Sequence, residues 1–330
     1  MPAPPPRTPA ALPAVLLARE LAPASVRLRT RSGELERVRP GAYRQVMPAR
    51  QVTPAAGAAP EPAPAPVPAA AAARDLALAR IAAVSRQLRT PFWFSHESAA
   101  LIWGCPLWTA PATTHIIQTV QPSDHGERSL TRHAMALVPA DRRVLRGVPV
   151  TSLERTVVDC LRQLAPRDAL VLADGALRLG ADAEALRARV DALAGGRGVV
   201  GARTVLDHAD GRAESPWETF VRYLLLRHGL PRPELQIPIH TRLGWFRADL
   251  GWLAFKLLIE VDGFVKYSTS DDPARVVFEE KRRHDAIVEE GWGILRVTAA
   301  DARRERELIG RVCARLPPAA TAHLTPVRGW

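Results

Sequence analysis

Hydrophobic and polar residues alternate most regularly in the last third of the chain. In the segment 255–262, FKLLIEVD, one set of alternate positions is entirely apolar and the other carries charge. The apolar set is Phe255, Leu257, Ile259 and Val261, and the opposite set is Lys256, Leu258, Glu260 and Asp262. A period of two predicts a β-strand with one buried face. Because the other face carries two carboxylates, this strand is our first candidate for a functional element.

The pattern around this strand predicts a small α/β domain. Ser215 is a suitable N-cap, Pro216 occupies the first helical position, and Glu218 follows the cap by three residues as a capping-box partner. The predicted order is helix 214–228, strands 234–239, 245–250 and 255–262, helix 273–290, strand 292–297 and helix 300–316.

The N-terminal region predicts a winged helix-turn-helix. We expect a helix over 12–21, a second helix that Ser25 caps and Gly33 ends, and a hairpin that turns at Pro40-Gly41. In such a motif the second helix enters the DNA major groove and wing arginines contact phosphates. The candidate DNA-binding residues are Arg27, Arg29, Arg31, Arg37, Arg39 and Arg44. The alternative is a basic hairpin with no role in DNA binding.

The chain as a whole is expected to be of mixed α/β (α+β) class with several domains. Pro and Ala dominate 49–73, which is typical of a semi-extended linker. The predicted division starts with a disordered segment (1–10), a winged-helix-like segment (11–48) and the linker (49–73). A mixed α/β then helical middle region (74–212), the C-terminal domain (213–317) and a tail (318–330) follow.

The charge of the chain favours a polyanionic partner, with nucleic acid first. The formal net charge is +11 over 330 residues. Only three of the 45 basic residues are lysines and the chain has no Asn, a pattern typical of GC-rich coding sequence. Global charge is therefore weak evidence, whereas Lys256, Lys266 and Lys281 stand out because all three lie around the candidate strand.

Cysteine usage and hydropathy indicate a cytoplasmic protein that does not span a membrane. Cys105, Cys160 and Cys313 are far apart and odd in number, so we expect buried thiols in a reducing compartment. The chain has no apolar run of membrane-spanning length, and its N-terminus lacks the features of a signal peptide.

The middle region carries scattered residues that could ligate a metal ion. We expect strands over 115–120 and 135–138, and a helix that Ser95 caps and Gly104 ends. A metal or hydrolytic site could be assembled in principle, but the spacing does not demand one, so we interpret the histidines as structural or surface residues. The residues concerned are His96, Glu97, His115, His133 and Asp159.

The C-terminal domain resembles the PD-(D/E)XK restriction-endonuclease-like superfamily, and most closely domains related to Vsr repair endonucleases. The resemblance covers roughly 214–316. Its motifs are Ser-Pro-x-Glu at 215–218, Gln236, Arg-Ala-Asp at 247–249, Ile-Glu-Val-Asp-Gly at 259–263, Lys-Arg-Arg-His-Asp at 281–285 and Gly-Trp-x-x-x-Arg-Val-Thr at 291–298.

This resemblance implies an α-β-β-β-α-β core that hydrolyses DNA phosphodiesters with Mg²⁺ or Mn²⁺. Asp249 and Glu260 would be metal ligands, Asp262 would complete the acidic cluster, Glu218 would be an accessory carboxylate, and Gln236 would support the ligands. All of these except Gln236 are candidate catalytic residues.

The sequence departs from the superfamily pattern at one position. Asp262 stands two residues after Glu260, where the pattern has a lysine. Lys266 or Lys281 would then have to supply the cation. In the alternative interpretation the nuclease fold is degenerate and Glu260 pairs with Arg283.

The N-terminal segment resembles the winged helix at the start of AbiEi-type antitoxins, chiefly through Leu-Glu-Arg-Val-Arg-Pro-Gly-Ala-Tyr at 35–43. Two functions follow from the two resemblances. In the first, the chain is a DNA-binding, metal-dependent endonuclease that acts in repair or defence. In the second, it is a non-catalytic regulator of a toxin–antitoxin type, with DNA and a cognate toxin or other protein as partners.

Overall fold

The computed structural model describes residues 8–46, 69–119, 127–262 and 273–330. The chain forms two compact units, Met1–Asp159 (unit 1) and Cys160–Trp330 (unit 2). Both contain helices and sheets, which confirms the mixed α/β class. The division falls inside the segment 74–212, which we had treated as one region. Within the described residues, no helix combines the length and the apolar character needed to cross a membrane.

Unit 1 begins with a small three-stranded sheet and one helix. The elements are β1 (Leu16–Leu17), α1 (Pro23–Arg31), β2 (Leu35–Arg39) and β3 (Ala42–Gln45), and the sheet order is β1-β3-β2. The predicted hairpin is confirmed, with Gly41 at a φ of 70° in its turn. The predicted helix over 12–21 is wrong, because Leu16–Leu17 pairs with β3 and a single 3₁₀ turn follows. Helix α1 begins at Pro23 after Ala22, so Ser25 is not its N-cap.

A long helix, α2 (Ala69–Gln87), packs between this small sheet and a larger one. Its residues Ala79, Ala82 and Ala83 contact the small sheet, whereas Leu78, Ile81 and Val84 contact the larger sheet. The predicted linker 49–73 lies largely outside the described residues, and its last five residues, 69–73, belong to α2. Residues 1–7 of the predicted disordered start also lie outside them, whereas the amide of Ala10 donates to the carbonyl of Ile102 at 2.9 Å.

The larger sheet of unit 1 has five strands in the order β6-β5-β4-β8-β7. Its elements, with the helices between and after them, are β4 (Trp93–Phe94), α3 (His96–Trp103), β5 (Thr114–Gln118), β6 (Leu130–Ala134), β7 (Arg142–Leu145), β8 (Val148–Thr151) and α4 (Leu153–Leu161). Helix α3 has the predicted limits, Ser95 and Gly104. The strand expected over 135–138 is wrong, because β6 ends at Ala134.

Unit 2 begins with four helices, α5 (Pro166–Arg178), α6 (Ala183–Asp191), α7 (Val199–His208) and α8 (Pro216–Arg227). Helix α8 starts as the sequence predicted, with Ser215 Oγ accepting the Glu218 amide at 3.1 Å. Helices α5 and α8 are joined by a buried ion pair. Asp174 Oδ2 accepts from Arg222 Nη2 at 2.5 Å and from Thr219 Oγ1 at 2.8 Å.

The sheet of unit 2 has four strands in the order β12-β11-β10-β9. The remaining elements are β9 (Glu234–Thr241), β10 (Gly244–Trp252), β11 (Leu257–Asp262), α9 (Pro273–Glu289), β12 (Gly293–Thr298), α10 (Ala299–Arg303), α11 (Glu305–Cys313) and α12 (Pro318–Thr321). Strands β9, β10 and β11 are antiparallel neighbours, and β12 pairs with β11 in parallel after the crossover helix α9. Ile287 of α9 packs against Ile237, Ala248 and Leu258 of the sheet.

Strand β11 is shorter than the sequence predicted and more fully buried. Lys256 precedes it in a left-handed conformation, φ 46°, and its Nζ donates to the carbonyl of Glu290 at 3.0 Å. Leu257, Leu258 and Ile259 are all buried, so both faces of the strand are covered at its start. Exposure begins at Glu260, so the polar end of the strand is the place where a substrate could reach it.

The three cysteines of the chain are free thiols. Cys105 and Cys160 are buried as expected, whereas Cys313 is half-buried. The segment 318–330, predicted as a tail, is packed on unit 2 at its end: the ring of Trp330 lies 5.0 Å from the rings of both His208 and Tyr223.

Candidate metal centre at the edge of the unit 2 sheet

Asp249 and Glu260 lie on adjacent strands at the point where their pairing stops. The β10–β11 ladder ends with Leu250 opposite Ile259, so Asp249 and Glu260 are the next positions in that register. The Oδ2 atom of Asp249 accepts a hydrogen bond from the backbone amide of Val261 at 2.7 Å. A side chain thus replaces the backbone partner of β11, and this holds the Asp249 carboxylate beside the polar end of that strand.

Glu218 brings a carboxylate from α8 to the same place. The side chain is buried, 6% exposed, and its Oε2 accepts from the Glu214 amide at 2.8 Å and from Gln236 Nε2 at 2.9 Å. The predicted capping box is therefore half formed, because Ser215 accepts from Glu218 but the Glu218 carboxylate takes the amide of Glu214. This leaves the carboxylate turned towards the sheet.

Gln236 is held in an unusual backbone conformation where it supports Glu218. Its φ is +56°, inside strand β9, and it stands opposite Asp249 in the β9–β10 register at a pair that the ladder skips. Positive φ at a residue with a side chain costs free energy and persists where neighbours impose it. The structure thus brings Glu218, Gln236 and Asp249 together, as the sequence motifs predicted.

Burial and repulsion between carboxylates dominate the electrostatics at Glu218. Burial, and after it the negative charge of Asp249, raises the pKa of Glu218 to about 7. Hydrogen bonds from Glu214 and Ser215 oppose this rise. At neutral pH Glu218 is therefore able to take up or release a proton.

The raised pKa of Glu218 predicts that the folded protein becomes less stable as pH rises, when a chelator keeps metal ions away. The folded protein binds this proton more tightly than the unfolded chain does, so the contribution is favourable below about pH 4.5 and is lost as pH rises to about 7. Between pH 5 and pH 8, the unfolding free energy of the unsubstituted protein should fall because Glu218 loses its proton. In the Glu218→Gln protein this fall should be smaller by up to about 3 kcal/mol. Urea denaturation at both pH values measures this.

The control for this prediction is Glu234→Gln, which changes an exposed carboxylate of the neighbouring strand β9. It should retain the pH dependence of the unsubstituted protein. An identical pH dependence in the Glu218→Gln protein would show that Glu218 is ionised throughout this range.

Glu260 is held by two guanidinium groups. Its Oε1 accepts from Arg283 Nη2 of α9 at 2.6 Å, and its Oε2 lies 3.6 Å from Arg296 Nε of β12. Arg296 also pairs with Glu280 at 3.2 Å. The Glu260–Arg283 pair is the one that the degenerate-fold interpretation expected. Arg296 is the arginine of the motif at 291–298, to which we had assigned no role in the site, and it lies directly beside Glu260 in the parallel register.

Among the described residues, the cations beside Glu260 are arginines and not lysines. Lys281 is exposed and precedes Arg283 by two residues, about 200° around α9, so it points away from the side that contacts Glu260. Lys266 lies outside the described residues. Arg283 therefore occupies the position beside Glu260 that we had assigned to a lysine. Asp262, the last residue of β11, is half-buried and pairs in register with Thr298.

The side chains of this centre are carboxylates, the type of ligand that a hard divalent cation prefers. Carboxylate oxygens are the preferred protein ligands of Mg²⁺ and Mn²⁺, and Glu218 and Asp249 carry mutual repulsion that a cation would relieve. Asp249, Glu260 and Asp262 are the residues that would hold it. Arg283 already neutralises Glu260, so cation binding and this ion pair compete for the same carboxylate.

Half of the N-terminal arginines predicted to bind DNA are engaged within the protein. Arg39 is buried and pairs with Glu127, Arg44 pairs with Glu36 at 2.6 Å, and Arg29 pairs with Glu34 at 3.2 Å. The remaining three are exposed, namely Arg27, Arg31 and Arg37.

Comparisons with known proteins give relatives but no activity. The chain is 38% identical over 163 residues to two uncharacterized proteins from two strains of Mycobacterium tuberculosis. The match covers 49% of this chain and 58% of each relative, so the chain spans little more than half of their length. No protein-family model matches the chain. No solved structure matches it either.

Proposed function

We propose that unit 2 hydrolyses DNA phosphodiesters with the help of a divalent cation. The observation that carries this proposal is the meeting of Glu218, Asp249 and Glu260, from α8, β10 and β11, around one edge of the sheet. The order helix, three antiparallel strands, helix, parallel strand supports a restriction-endonuclease-like core. The resemblance to Vsr-related domains rests on the same residues.

The residues of the centre divide the work of such a reaction. A bound Mg²⁺ or Mn²⁺ would activate water and neutralise charge on the phosphate. Asp249, Glu260 and Asp262 would hold the cation, and the Val261 amide fixes the Asp249 carboxylate. Glu218, with its pKa near 7, accepts a proton from the attacking water, and Gln236 keeps its carboxylate in place. Arg283, released from Glu260, pairs with a phosphate oxygen.

Unit 1 would contribute DNA binding in this proposal. The exposed Arg27, Arg31 and Arg37 lie on or beside α1 and β2, in the segment that resembles the AbiEi-type winged helix. Phosphate contacts by such residues position a protein on DNA without reading sequence.

Cleavage of supercoiled plasmid tests the proposal. The full chain should convert plasmid to nicked or linear DNA with Mg²⁺ or Mn²⁺ and should leave it intact in EDTA. The double variant Asp249→Asn/Glu260→Gln, prepared identically, should give no product and so excludes a contaminating nuclease. If both proteins cleave equally, or if neither does at high enzyme concentration, hydrolysis by this centre is contradicted.

The second candidate is a non-catalytic regulator of antitoxin type. The Glu260–Arg283 ion pair favours it, because a carboxylate already neutralised by a guanidinium needs no cation. In this case the protein binds DNA, and a cognate toxin or other protein, without cutting. Salt-dependent binding of a promoter fragment by both proteins of the plasmid experiment, with cleavage by neither, would support it.

A further inference from the structure

Three histidines that are far apart in sequence converge in unit 1. His96 is the first residue of α3, His115 lies on β5 and His133 lies on β6. Strands β5 and β6 are parallel neighbours in which Ile117 stands opposite His133, so His133 lies two positions along from His115. One ring nitrogen of each histidine lies within 4.8 Å of those of the other two.

One pair of these nitrogens, which shares a hydrogen bond, already has nearly the spacing of two ligands in a zinc site. His115 Nδ1 and His133 Nε2 are 3.1 Å apart. Two nitrogens bound tetrahedrally to Zn²⁺ at 2.0–2.1 Å are separated by about 3.3 Å, so only a small movement is required. The His96 ring stacks on that of His133 with centroids 4.0 Å apart, so the third imidazole is adjacent to the pair and would have to turn for its nitrogen to reach the same ion.

Neighbouring groups set the orientation of two of the rings. Ser95 Oγ lies 3.0 Å from His96 Nδ1, a contact that fixes the orientation of this ring. Thr113 Oγ1 lies 3.0 Å from His115 Nε2, and Glu97 Oε2 lies 3.7 Å from the same nitrogen, which leaves Nδ1. Metal-binding histidines characteristically donate their second nitrogen to a hydroxyl, carbonyl or carboxylate partner.

The backbone at His96 is strained where it enters the cluster. Its φ is +49° and the side chain is only 2% exposed. A residue other than glycine is uncommon in the left-handed region, and such residues concentrate at functional sites.

We propose that His96, His115 and His133 form a binding site for one Zn²⁺-like divalent cation in unit 1. Three imidazole ligands leave a fourth position for water or for an oxygen of a bound molecule, the arrangement of an open rather than a closed structural zinc site. Asp159 takes no part, because its carboxylate is bound to Arg155 at 2.8 Å. This nitrogen site differs in chemistry from the oxygen centre of unit 2, so it does not depend on the proposed nuclease activity.

Titration with Co²⁺, a spectroscopic substitute for Zn²⁺, tests the proposal. The full chain carrying Asp249→Asn and Glu260→Gln is used, so that the unit 2 carboxylates cannot contribute, with excess Mg²⁺ present. We expect visible absorption bands that saturate at one Co²⁺ per chain and that Zn²⁺ abolishes by displacement. Absence of these bands, or bands that persist unchanged when His133 is replaced, overturns the site.

Variants in the same background locate the bound ion. His133→Ala and His115→Ala should each weaken Co²⁺ binding at least about tenfold, because loss even of a partner that orients a ligand costs that much. His323→Ala, at an exposed histidine of unit 2, is the matched control and should bind as the parent does. Far-UV circular dichroism without metal checks folding. If the His115→Ala protein does not fold, His133→Asn, at a half-buried position, takes its place. Co²⁺ binding by His133→Asn as tight as that of the parent protein overturns the proposal.

Discussion

Glu260→Gln is expected to reduce metal-dependent plasmid cleavage at least about 100-fold while the protein stays folded. The proposed role of Glu260 is to hold the cation, whose stabilisation of transition-state charge is worth several kcal/mol, and about 2.7 kcal/mol corresponds to this factor. Glutamine keeps the size of the side chain and a hydrogen-bond acceptor for Arg283, so packing at the end of β11 should survive. Initial rates of nicking at saturating Mn²⁺ give the ratio.

The matched control is Glu280→Gln. Glu280 pairs with Arg296, the same guanidinium that lies beside Glu260, so this variant disturbs the ion-pair network without removing a proposed ligand. It should cleave within a few-fold of the unsubstituted protein. Equal losses in the two variants would assign the effect to the arginine network and not to cation binding. Cleavage undiminished by Glu260→Gln would remove Glu260 from the centre.

Asp174→Ala is expected to destabilise unit 2 by about 3–5 kcal/mol. Asp174 and Arg222 are each 1% exposed, and the Asp174 carboxylate also accepts the Asp210 amide at 2.8 Å. Burial raises the pKa of Asp174, and the Arg222 guanidinium opposes that rise. Removal of the carboxylate leaves a buried, unpaired guanidinium, which is the costly case for a buried ion pair. Hydrogen exchange of amides in α5 and α8 measures the loss locally.

An exposed pair provides the comparison for Asp174. Asp191 pairs with Arg203 at 2.7 Å, but both side chains are about half exposed, so Asp191→Ala should cost less than about 1 kcal/mol. The double variant Asp174→Leu/Arg222→Met should be far more stable than Asp174→Ala, because it removes both charges. Hydrogen exchange as fast in the double variant as in Asp174→Ala would show that packing, and not the unpaired charge, causes the loss.

The sequence predicted those parts of the fold whose causes are local. Pro40-Gly41 sets the turn of the N-terminal hairpin, and Ser215-Pro216 sets the start of α8. The helix expected over 12–21 failed because pairing with β3, a contact between residues distant in sequence, outweighs local helical preference there.

In unit 2 the structure places the carboxylates Asp249 and Glu260 on adjacent strands, and it places an arginine beside Glu260. Asp249 and Glu260 follow from strand alternation and from the motifs. The side of α9 that faces the sheet depends on the phase of the helix, which a charged run such as 279–285 does not reveal. Arg283, and not Lys281, therefore reaches Glu260.

The histidine cluster could not be predicted from spacing. It depends on the parallel register of β5 and β6, in which His133 lies two positions along from His115. We had placed the second strand five residues too late, which left His133 before it. Had the strand been predicted to begin at Leu130, His115 and His133 would both have been placed on strands.

Helix α2 gives unit 1 a mechanical property. Its alanine side meets the small N-terminal sheet and its larger side chains meet the five-stranded sheet, so the two sheets share one close-packed layer. Arg86 and Gln87, near its end, bond to the backbone at Val15 and Pro40, and thus clamp the first segment to the helix. Because packed interiors transmit displacement with little compression, the small sheet with its N-terminal arginines should move together with α2. We therefore expect a displacement of α2 caused by a ligand at the five-stranded sheet to displace the small sheet as well.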